Sequence, residues 1–122
     1  MQPDSTDPEE TGLSTDPEIT RREFLQQALR TDPDNTFARY GLALELARTD
    51  PAAAWSHFDY LLTRHPEYAA TYYQAGVFLV GQRRPEEARR VLAAGVDVSS
   101  RQGKEHARQQ LQAVLDELES TL

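Results

Sequence analysis

The 122-residue chain has no cysteine, which excludes a disulfide framework and any thiolate metal centre. It has no apolar run near the roughly 18 residues that a membrane-spanning helix needs. Its first residues show neither the basic start nor the apolar stretch of a signal peptide. The expectation is a soluble, cytoplasmic protein with no membrane contact. Glycine is scattered: Gly41, Gly76, Gly81, Gly95 and Gly103 stand singly, so no glycine loop is available to cradle a phosphate. Strand-like alternation is almost missing. Lysine is nearly so, with Lys104 beside twelve arginines.

The charge that is present is unevenly spread. Residues 1–18, "MQPDSTDPEETGLSTDPE", hold six acids and no base, which leaves 14 of the 20 acids to face 13 bases in the remainder. Leu13 is the one large aliphatic residue in that opening stretch. Such a segment buries too little apolar surface to offset its ordering entropy, so residues 1–15 are expected to form a disordered acidic tail. Residues 16–122 are expected to form one domain. The net charge of −7 argues against nucleic acid as a partner.

Past the tail, apolar residues recur at helical spacing between short turns that contain proline. The first helix is expected from the Asp16 cap and Pro17 to about residue 32, through Phe24, Leu25, Ala28 and Leu29. Further helices are expected over about 36–48, 51–65, 68–82, 85–98 and 102–120. The third repeats the capping device, with Asp50 before Pro51. The helices also match in pairs. Pro33 and Pro66, Leu42 and Ala75, Ala43 and Gly76, and Leu46 and Leu79 lie 33 residues apart. Pro51 and Pro85, Ala54 and Ala88, Phe58 and Leu92, and Leu62 and Val96 lie 34 apart.

A helix pair recurring about every 34 residues resembles the tetratricopeptide repeat. The second unit carries the pattern as Tyr72, Ala75-Gly76, Leu79, Ala88 and Leu92, with Ser100 where the family has proline. The first carries Leu42-Ala43, Leu46, Ala54, Phe58 and Pro66, with Arg39 where the family has an aromatic. The resemblance, to a small bacterial member of that family, covers roughly residues 18–100. It implies an all-α superhelix of antiparallel helix pairs: a half repeat, two repeats and a C-terminal capping helix. Ala43, Gly76, Ala54 and Ala88 fall where helices cross closely and a larger side chain would force them apart.

Little points to catalysis. His57, His65 and His106 have no acid or histidine at metal-ligand spacing on a shared face, and no serine has a nucleophile-elbow context. No enzyme activity, cofactor or metal is expected. The cluster "RRPEEARR" interleaves arginines with Glu86 and Glu87, so it reads as a solvated helix face with pairs such as Glu86-Arg89, Glu86-Arg90 and Glu87-Arg90.

The resemblance implies that the first helix of each pair lines a concave groove that takes a partner peptide or helix. The matching positions are Phe37, Tyr40, Leu44 and Arg48, then Tyr73, Gln74, Val77 and Val80, with Arg108 and Gln112 from the last helix. Family members that clamp a carboxylate use lysine and asparagine there; Tyr40, Leu44, Tyr73 and Val77 suit an apolar or amphipathic segment instead. The expected function is a non-catalytic protein-interaction module with a protein or peptide partner, acting as a monomer or weak homodimer. The alternative is a self-associating scaffold that uses the groove or the Leu111–Leu118 stripe. Adjacent Tyr72 and Tyr73 point about 100° apart, so Tyr72 is expected in the core and Tyr73 in the groove, the more exposed of the two.

Overall fold

A computed structural model describes residues 17–121; the acidic segment 1–15, the Asp16 cap and Leu122 lie outside the described residues. Those described form six helices: α1 (Pro17–Thr31), α2 (Thr36–Leu46), α3 (Pro51–Arg64), α4 (Ala70–Gly81), α5 (Pro85–Arg101) and α6 (Glu105–Thr121). Each helix packs on its neighbours in sequence, and α6 also touches α4. Leu25 meeting Gly41 while Arg21 pairs with Glu45 sets α1 antiparallel to α2. Gly76 against Leu92 and Gly95 against Tyr72 do the same for α4 and α5. The chain is an all-α stack of helix pairs.

Local chemistry fixes most of the boundaries. The Asn35 side chain accepts from the Ala38 amide at 3.0 Å and opens α2. Asp50 accepts from the Ala53 amide at 3.2 Å, with Pro51 already set for the first helical position of α3. Several expected boundaries shift, among them the start of α6, at Glu105 instead of about 102 because the turn through Gly103 and Lys104 comes first. Helix α4 begins at Ala70 instead of Tyr68, because a turn closed by the Tyr68 amide on the His65 carbonyl uses up residues 65–68. The same turn occurs 33 residues earlier, from the Asn35 amide to the Asp32 carbonyl. Helix α5 continues through Ser100 to Arg101, past the expected end at Val98, since no proline interrupts it.

One main core runs through the stack, with Ala43, Ala54, Phe58, Tyr72, Ala75, Leu79, Ala88, Leu92, Leu111, Leu115 and Leu118 buried in it. A smaller cluster of Leu25, Ala38 and Leu42 seats α1, and Leu46 packs against both. Phe24, expected on the buried stripe of α1, is instead 67% exposed, and Leu25 takes the interior position. Leu111, Leu115 and Leu118 are buried within this one chain, so that stripe is not free for a second copy.

The repeat departs from its pattern at Arg39, and the structure supplies the reason. In the second unit the Tyr72 hydroxyl donates to the Pro66 carbonyl at 2.7 Å. In the first, an Arg39 guanidinium nitrogen donates to the Pro33 carbonyl at 2.5 Å. The two prolines are equivalent, so one anchoring bond is made by two different side chains. The guanidinium lies 3.6 Å from the Tyr60 ring centroid, so a neighbouring aromatic takes over the packing that the tyrosine would provide.

Between α4 and α5 the Arg84 amide bonds back to the Leu79 carbonyl, which closes the helix through a left-handed residue, Arg83, at φ 61°. Gly103 fills the equivalent position after α5 at φ 69°, where the Lys104 amide bonds to Ser99. An L side chain in this region is strained, and that of Arg83 is exposed and has no ion-pair partner among the described residues. Arg83→Gly should therefore raise stability by about 0.5–1 kcal/mol, read as a melting temperature a few degrees higher. A fall would mean that the Arg83 side chain stabilises the turn.

Candidate functional site

Helices α2, α4 and α6 present one continuous face. On α2 the exposed stripe is Phe37 and Leu44, with Tyr40 half-buried between them and Arg48 exposed in the turn just after the helix; on α4 it is Tyr73, Val77 and Val80. Both follow from i, i+3 and i+4 spacing, with the opposite sides of the same helices committed to Ala38, Leu42, Tyr72, Ala75 and Leu79. Tyr72 is 5% exposed and Tyr73 is 36% exposed, so the adjacent tyrosines divide between core and surface in the expected register.

Two hollows lie along this face and share one wall, Gln74. The first, of about 240 Å³, is bounded by Leu44, Ala47, Arg48, Gln74, Val77 and Phe78. The second, of about 340 Å³, lies between Tyr40, Tyr73 and Gln74 on one side and Lys104, Ala107, Gln110 and Leu111 on the other. Tyr68 leans its ring edge-on against Tyr40, with centroids 5.8 Å apart at 77°. Burial and the neighbouring Tyr68 push the Tyr40 phenol above its ordinary range, partly offset by its hydrogen bond with Gln74. A third hollow, beyond Val80, is walled by Val114, Glu117, Leu118 and Thr121.

The contribution of α6 differs from the expected one. Arg108 is absent from both Gln74 hollows; it is half-buried and held by Glu105 at 2.5 Å. Gln112 bonds to Asp116 instead. Lys104, not among the expected groove positions, lines the second hollow. The cause is packing. Leu111 docks against Gly95, with its methyls about 3.1 Å from where a Cβ on that glycine would stand. This fixes the rotation of α6. Lys104, the residue that precedes α6, lies seven positions before Leu111 and so toward the same side, whereas Arg108 is turned about 60° away. Phe37, 67% exposed, sits on the same stripe of α2 and lines neither Gln74 hollow.

The three histidines do not converge. His57 faces Arg39, with Nδ1 3.3 Å from the guanidinium, and burial followed by that charge holds its pKa below the usual histidine value. His65 Nε2 lies 2.6 Å from Asp34, whose carboxyl also accepts from the Tyr60 hydroxyl at 2.7 Å. These bonds hold Asp34 below the ordinary carboxylate range. His106 is exposed at the start of α6. Among the described residues, no group of three or more histidine, aspartate or glutamate side chains is placed to hold a metal ion. Nor is any of their helices long and apolar enough to cross a membrane. Of the expected arginine–glutamate pairs, Arg89 bonds Glu86, while Glu87 is taken by Arg84 and not by Arg90. Arg84 also lies 4.8 Å over the Trp55 ring.

No family model matches the sequence, and no curated protein matches it. Solved structures similar to this chain include two that bear on the fold. One, a tetratricopeptide repeat domain protein from Salinibacter ruber, is 31% identical, with a TM-score of 0.68 over 73% of this chain and 91% of its own. The other, a protein from Bordetella parapertussis, is 26% identical, with a TM-score of 0.70 over 82% of this chain and 88% of its own.

Proposed function

This chain belongs to the tetratricopeptide repeat family, and from that premise we propose that it is a non-catalytic protein-interaction module working in the cytoplasm, which receives a peptide or helical segment along the face of α2, α4 and α6. One observation carries the reading. Leu44, Tyr73, Val77 and Val80 are exposed side by side on helices whose other faces form the core. Contiguous apolar surface of this kind favours burial against a partner. Tyr40 and Tyr73 are the anchors expected to matter most, since large aromatics that line hollows dominate binding energy. Gln74 offers an amide to a partner backbone between the two hollows.

The test is a pull-down from the source organism, followed by chemical-shift mapping of the captured partner on the labelled chain. Tyr40→Ala combined with Tyr73→Ala should weaken binding tenfold or more, because each truncation at a central anchor costs about 1–2 kcal/mol. The helical circular dichroism should remain intact. Undiminished affinity in a folded double variant would rule out the groove as the binding surface. The self-association reading retains only the groove, as the α6 leucines are buried. A monomer mass by light scattering at all concentrations would remove it.

A further inference from the structure

The charged groups along the groove are arranged in a way that selects a partner. From end to end, the two hollows that share Gln74 run Arg48, Leu44 with Val77, Gln74, Tyr40 with Tyr73, Lys104. Among the described residues no carboxylate lines either hollow; Glu117 stands in the separate hollow past Val80. This is unusual for a chain that carries 20 acids against 13 bases.

Among the described residues Arg21, Arg84, Arg89, Arg101 and Arg108 are each held by an acid, and Arg48 and Lys104 are two of the cations that are not. Both are exposed. Unpaired cations at the two ends of an apolar trough attract a ligand of opposite charge and repel one of the same charge.

On the reading that this groove is the binding surface, we propose that its partner is a linear peptide segment with two apolar anchors and an acidic residue beyond each. One anchor fills the Leu44–Val77 hollow and the other the Tyr40–Tyr73 hollow. The intervening backbone meets the Gln74 amide, and the flanking carboxylates meet Arg48 and Lys104. Recognition rests on side-chain carboxylates at both ends, so a free C-terminus is not required.

The test uses the full chain and two synthetic peptide sets with acetylated and amidated ends. Both carry one leucine and one phenylalanine at varied spacing; one set has Asp and Glu outside the anchors, the other Lys and Arg. Binding is followed by amide shifts of the labelled protein at low ionic strength. The acidic set should bind at least tenfold more tightly, with shifts centred on Tyr40, Gln74 and Val77. The preference should shrink as salt is raised. Arg48→Glu and Lys104→Glu should each weaken acidic-peptide binding by about threefold or more, and the pair together should reverse the preference. These exposed positions lie outside the core, so folding is expected to survive, and circular dichroism checks it.

Equal binding of both sets, or a preference for the basic one, would overturn the charge assignment while leaving the groove in use. Shifts away from these residues, or none with either set, would remove the groove reading itself. The chain's own acidic stretch, with Leu13 among its acids, is the competing occupant. If Leu13→Gln moved the groove resonances with no peptide present, occupancy within the chain would replace the partner proposal.

Discussion

Gly76→Leu is expected to lower stability by about 3 kcal/mol or more, a fall in melting temperature on the order of 10–20 °C for a domain of this size. A Cβ at position 76 would stand 2.4 Å from one Leu92 methyl and 2.7 Å from its Cγ. Leu92 is fully buried, so it has little room to turn away. The remaining leucine atoms would have to separate α4 from α5, and that seam includes Ala75, Leu79 and Ala88. A nearby glycine supplies the control. Nothing lies within 4 Å of a Cβ at Gly81, so Gly81→Ala should be neutral or slightly stabilising through helix propensity. Trp55, the chain's single tryptophan, stacks on Phe78 at 6.4 Å and gives a fluorescence readout beside circular dichroism. Equal melting temperatures for Gly76→Leu and Gly81→Ala would contradict the close crossing.

Gly95→Ala should cost about 2 kcal/mol, although alanine is the better helix former by about 1 kcal/mol. A Cβ at position 95 would lie 2.5 Å from the Cβ of Tyr72 and 3.1 Å from both Leu111 methyls. The geometry is harsher than at Gly76, because a Tyr72 Cβ is fixed to its backbone and no rotamer moves it. Relief requires α4 and α5 to move apart, which pulls on the Tyr72 hydroxyl bond to Pro66. The displacement should reach the groove, since Tyr73 and Lys104 are positioned by the same helices. Thermal melts of Gly95→Ala, with amide shifts at Tyr73 and Lys104, check both parts. A variant as stable as the parent would mean that the helices do not approach so closely.

These two glycines differ in how legible they were. Gly76 repeats Ala43 at the 33-residue spacing, so the sequence marks it as a crossing point. Gly95 aligns with Leu61 in the preceding unit, and Leu111 aligns with Gly76, so large and small residues are exchanged across that seam. Periodicity sees each position separately and cannot show that Leu111 occupies the space left open by Gly95. The same exchange turned α6 and brought Lys104, not Arg108, into the hollow. Arg39 is another case, where a tyrosine's hydrogen bond is made by a guanidinium resting on Tyr60.

By itself the sequence determined the all-α class, the six helices, the repeat register and the division of Tyr72 from Tyr73. Helical periodicity, proline turns and Asp or Asn caps act over a few residues, and their information lies in the chain's local order. Only the tertiary structure decided which cation meets which hollow, which small residue seats which large one, and that Phe24 lies outside while the α6 leucines lie within. Those outcomes depend on side chains far apart in sequence filling one shared volume, and a helix turns as far as that packing requires.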